Sequence, residues 1–92
     1  SEIKSYLTVL HEYLWQYSEV RKRLTQSDFE IKIWRTGLLV EIERKARATL
    51  ESVRNDLYFF QKYQSIVDDV IDRNVEFGQE ACAKYFEEDI KA

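Results

Sequence analysis

Ninety-two residues fit one small domain, and a chain of that length buries only about two-thirds of the surface its unfolded form exposes. Hydrophobic residues at 45% and charged residues at 34% describe a globular chain rather than a disordered one. A net charge of −3 gives no reason to expect nucleic acid as a ligand, and a single cysteine excludes an internal disulfide framework and a cysteine-based zinc site.

The charge is unevenly spread. Residues 1–46 hold eight Lys/Arg and seven Asp/Glu, a balance of +1, whereas residues 47–92 hold six and ten, a balance of −4. An acidic C-terminal half argues against a basic membrane-surface scaffold and suits a basic protein patch instead. Neither a basic-then-apolar leader nor a run of about 18 apolar residues occurs, so a cytoplasmic protein is expected.

Glu2 to Leu24 reads as an amphipathic helix. Ile3, Leu7, Leu10, Leu14, Tyr17 and Leu24 alternate at spacings of three and four, broken only by Arg21. Trp15 lies off that stripe. Arg21, Lys22 and Arg23 place cations in the last turn, where they complement the helix dipole. Lys22-Arg23-Leu24-Thr25 also has the form of a basophilic kinase site, which makes Thr25 a candidate phosphosite. The break at Thr25-Gln26-Ser27-Asp28 follows, and Ser27 with Glu30 has the capping-box form.

Residues 29–43 admit two readings. As a helix, Ile31, Trp34, Leu38 and Ile42 continue the downstream stripe in phase, and Gly37 is a weak point or a close-packing site. As a β-hairpin, Phe29, Ile31, Ile33, Val40 and Ile42 share one face about a Thr36-Gly37 turn. Helix is preferred. From Leu38 to about Ile90 the apolar stripe runs on, with Asn55-Asp56 and Asn74 through Gly78 as the only candidate breaks. The expected fold is therefore all-α, a helical hairpin or three-helix bundle with one long C-terminal helix. The alternative is helix–β-hairpin–helix with the hairpin at 29–43.

No residue pattern points to catalysis, a metal or a cofactor. His11 is the only histidine and reads as a surface or rim residue, and Cys82 reads as a small buried hydrophobe. Asp68, Asp72, Glu76 and Glu80 recur every four residues, which predicts an acidic docking ridge on one helix face. Arg44, Lys45, Arg47 and Arg54 form its basic counterpart, so antiparallel self-pairing could bring the two zones together. Leu57, Phe59, Phe60, Tyr63, Val67 and Ile71 crowd the middle of the long stripe and are expected in the core or an interface. The expected function is a protein–protein interaction or oligomerisation module, a homodimer or a subunit of a hetero-oligomer, without nucleic acid or membrane as partner. The alternative is a small all-α enzyme or ligand-binding bundle with a site between subunits, which requires a polar pocket drawn from Arg35, Glu41, Arg44 and Arg54.

Overall fold

Two aspartates set where two of the helices begin. Asp28 and Asp56 both have extended backbones, and each side chain accepts a backbone N–H three residues on, from Ile31 at 3.1 Å and from Phe59 at 3.4 Å. Each thus satisfies a donor that the first helical turn leaves without a partner. The computed structural model describes residues 2–25 and 28–91, and among them it contains four α-helices and no strand. These are α1 (Glu2–Leu24), α2 (Phe29–Glu51), α3 (Leu57–Ile71) and α4 (Gln79–Lys91). Ser27, the expected capping residue, lies outside the described residues, and Asp28 takes the cap of α2.

Residues 29–43 are helical, and the alternative hairpin does not form. In a helix, Leu39, Ile42, Ala46 and Leu50 fall on one line, and all four are buried. A two-stranded ribbon would bury little of its own, with no further strand to pack beside it.

The long C-terminal helix expected from the sequence is not present. Its span is divided by two turns, and the last helix has only 13 residues. After Glu51 the backbone tightens into bonds of the three-residue kind, from Ser52 to Thr49, Val53 to Leu50, Arg54 to Glu51 and Asp56 to Val53. Asp56 then caps a new start. The second turn follows Ile71, where Asn74 sits at φ 59°, a left-handed conformation that asparagine tolerates better than most residues. Val75 N–H reaches back to the Asp69 carbonyl at 2.9 Å. A straight helix would have held the in-phase apolar stripe in water, and folding back buries it.

α1 is the element that touches all three others, and it lies along α2 in an antiparallel hairpin. Its Leu7, Leu10 and Leu14 enter a core with Ala46, Leu50 and Val53 from α2 and the turn after it. α3 adds Tyr63, Ile66, Val67, Val70 and Ile71, and Phe77 and Phe86 complete the cluster. The rings of Tyr63, Phe86 and Phe77 form a chain, with centroids 4.6 Å apart for the first pair and 5.6 Å for the second.

One polar side chain is buried in this core. Ser18 Oγ accepts the Phe77 N–H at 2.9 Å, which fixes the α3–α4 connection to α1. Arg21 donates to the Val70 carbonyl and, at 3.1 Å, to that of Val75, while Lys22 reaches Glu76 at 2.7 Å. Ser18→Ala leaves the Phe77 N–H buried without an acceptor. It is expected to lower the unfolding free energy by about 1–3 kcal/mol in urea titration. A loss below about 0.5 kcal/mol, the range of an ordinary surface substitution, would contradict this role.

Candidate functional site

The polar groups gathered in this fold serve largely to hold it together. Arg47 on α2 reaches Asp68 at 3.0 Å and Asp72 at 3.2 Å across to α3. Partial burial works against its charge, but the carboxylates of Asp68, Asp72 and Glu43 outweigh it and raise the guanidinium's pKa. Because α3 ends at Ile71, the four acidic residues expected to share one ridge are dispersed. Glu76 lies in the connection, paired with Lys22, and Glu80 is exposed on α4. The basic and acidic zones meet within one chain at Arg47 rather than only between copies.

A second polar group ties α4 to α3. Lys62 donates to Asp89 Oδ2 at 2.7 Å, and the Tyr63 hydroxyl, itself within 3.0 Å of the Tyr85 carbonyl, donates to the same oxygen. Burial, then the hydrogen bond to Asp89, pushes the Tyr63 phenol far above its ordinary value. Burial opposes ionisation of Asp89 too, yet Lys62 and Tyr63 outweigh it and hold that carboxyl below its usual range.

His11, expected at a rim, is half-buried with its ring 5.6 Å from Phe77 and 5.5 Å from Phe86. Burial lowers its pKa, and Glu12 opposes that shift. Cys82 is partly covered against the core, and burial first, then Glu87 and Glu12, pushes its thiol up. Among the described residues, no three His, Cys, Asp or Glu side chains converge as metal ligands, and no helix is long and apolar enough to cross a membrane.

The residues expected in core or interface divide by position. Tyr63, Val67 and Ile71 are buried, and Phe59 and Phe60 pack partly against the core. Leu57 is 67% exposed and lines a shallow depression with Ile3 and Val53 at one end of the molecule. The charged residues that a ligand site would require do not converge. Arg35 donates to the Arg23 carbonyl at 2.6 Å, Arg44 pairs with Glu41 on the surface, and Arg54 pairs with Glu51 at 3.9 Å. Thr25 is exposed at the end of α1, three residues after the Lys22 that bridges Glu19 and Glu76.

One apolar surface that the fold leaves uncovered is the first half of α2. Phe29 is 77% exposed, Ile33 60%, Trp34 66% and Val40 66%. At 100° per residue, Phe29, Ile33 and Val40 lie within about 40° of one another around the helix. They form one stripe, turned away from the buried line of Leu39, Ile42 and Ala46, with Gly37 at its margin and Trp34 about 120° round the helix from its centre. On the α1 side, Trp15, Gln16, Glu19, Val20, Arg23, Leu38 and Ile42 enclose a groove of about 280 Å³. The alternation in residues 29–33 had suggested a strand, because apolar side chains there point to several sides. The more useful signal was that this helix is apolar on more than one side, more than its own hairpin covers. Comparison of the chain with models of known families, with curated proteins and with solved structures finds no match.

His11 contributes to the acid-side stability of this fold. Its folded pKa lies below the unfolded value of 6.5, so the unfolded chain takes up the proton first. Stability is therefore full above 6.5 and falls as the pH drops toward the folded pKa, before the carboxylates titrate. Melting curves between about pH 5 and pH 7 are expected to show that decline, and His11→Phe is expected to flatten it. An unchanged slope in the variant would contradict the assignment.

Proposed function

We propose that this chain is a non-enzymatic protein–protein interaction or oligomerisation module, an adaptor or assembly subunit that engages a partner through the outer face of α2. A single observation carries the reading: Phe29, Ile33 and Val40 stand exposed along one side of a single helix, with Trp34 exposed on a neighbouring side. Exposed apolar residues scattered singly need no explanation, but an apolar stripe with large aromatics on it and near it is what interface centres favour. The partner is protein, either a second copy or another subunit of a hetero-oligomer. A cytoplasmic setting belongs to this proposal and rests on the composition of the chain, with its single cysteine.

The lengths of the helices support the reading as well. α2 has 23 residues and α3 has 15, about 35 Å against 22 Å at 1.5 Å per residue. α3 contributes its core residues beside Ala46, Leu50 and Val53, so the far half of α2 extends past it.

Site-specific photocrosslinking tests the reading. A benzophenone amino acid at Val40 is expected to give a discrete protein adduct in cells, whereas the same probe at exposed Gln61 on α3 gives none. The absence of a discrete adduct at Val40 would overturn the proposal. Val40→Glu is expected to shift the monomer's stability by no more than about 0.5 kcal/mol, as for a surface position, while removing the contact.

A further inference from the structure

Gly37 has no role within one chain that its surroundings explain. It lies inside α2 at an exposed position, a Cβ added there would meet nothing within 4 Å, and its backbone does not have a positive φ. Alanine would fit and would favour the helix more. The missing side chain opens a gap beside the exposed stripe, with Ile33 before it and Val40 after it along the axis. An open point of that kind is where a second backbone can approach closely.

Resting on the interaction reading above, we propose that the occupant of this face is a second copy of the chain, whose α2 crosses the first antiparallel about a two-fold axis at Gly37. The charges of α2 distinguish this arrangement from others. A two-fold perpendicular to the plane of the two helix axes brings each flank against its own counterpart, with residues equidistant from Gly37 opposed. Glu30 then faces Arg44 of the second copy, both within about 20° of Gly37 around the helix, and Ile33 meets Val40 of the second copy on the flank they share. A parallel pairing instead sets Glu30 against Glu30 and Arg44 against Arg44, which like charges oppose. Arg44 now pairs with Glu41 one turn away, an exposed contact that is easily exchanged. Residues 29–44 cover about 24 Å of helix at 1.5 Å per residue, a short interface, so the dimer is expected to depend on concentration.

Sedimentation of the full chain across a concentration series tests this through charge exchange. Glu30→Arg alone and Arg44→Glu alone each set like charges face to face and are expected to weaken dimerisation by about tenfold or more. An equimolar mixture of the two variants, or the double variant Glu30→Arg/Arg44→Glu, is expected to restore it. Gly37→Ala is expected to raise the melting temperature of the dilute monomer while weakening the dimer, a combination that a merely structural glycine would not produce. Circular dichroism on the same samples confirms that each variant is folded. A dimer unaffected by both charge reversals, or strengthened by Gly37→Ala, would overturn the arrangement. A chain monomeric at every concentration, whose Val40 probe still captures a different protein, would overturn the second copy and leave the interaction reading standing. Neither a dimer nor an adduct would overturn both.

Discussion

The bond from the Phe77 N–H to the Ser18 hydroxyl is the constraint on which the rest of the fold depends. It closes a loop of 59 residues in the fully buried centre of the molecule, where an unmet backbone donor would be costly. It anchors the α3–α4 connection to α1 from inside the core, beside the Phe77 and Phe86 rings that meet His11 and Tyr63. Arg21 and Lys22 reinforce the same junction from the next turn of α1 by binding the Val70 and Val75 carbonyls and Glu76. The last turn of α1 is thus basic for a tertiary reason as well as for its dipole. Lys22, one of the two cations in the kinase-site sequence, is itself engaged in holding the connection.

How far the sequence discloses this arrangement varies from element to element. α1 was legible as a helix and in the core of its stripe: Leu7, Leu10 and Leu14 are buried, Ile3, Tyr17 and Leu24 are partly covered, and buried Ser18 lay off the expected stripe. Arg21 interrupts that stripe at a position where a cation needs acceptors, and two carbonyls supply them. The helical state of 29–43 was legible only as a preference, since apolar residues there serve two faces and mimic alternation. The turns were harder still. Asn55-Asp56 and Asn74 through Gly78 were visible as candidate breaks, but the apolar phase runs through both, and phase alone does not show whether a chain continues or folds back. That choice is made by burial, which depends on contacts far apart in sequence. The acidic ridge was an outcome of the same ambiguity: a spacing of four residues defines a face only while the helix persists, and α3 ends at Ile71.

α2 joins the fold to the proposed function. Its second half is core, through Ala46 and Leu50, and is clamped to α3 by Arg47. Its first half presents Phe29, Ile33, Trp34 and Val40 to solvent on a helix that Asp28 caps and α1 braces. A surface built on such a helix is pre-organised, so a partner meets it without the chain first having to be ordered. The expected interface residues further along the chain turn out to divide differently. Tyr63, Val67 and Ile71 belong to the core, and Leu57 remains exposed at the opposite end.

The most direct measurement of the central claim is a dilution series of two-dimensional amide NMR spectra on the isotopically labelled chain, from millimolar to micromolar concentration. It alters no residue. The account predicts that the amides of Glu30, Ile33, Trp34, Gly37 and Val40 shift together along one binding curve, while those of the Tyr63–Phe86 core stay fixed. Spectra that do not change with concentration, or shifts confined to the Leu57 end or to α4, would contradict it.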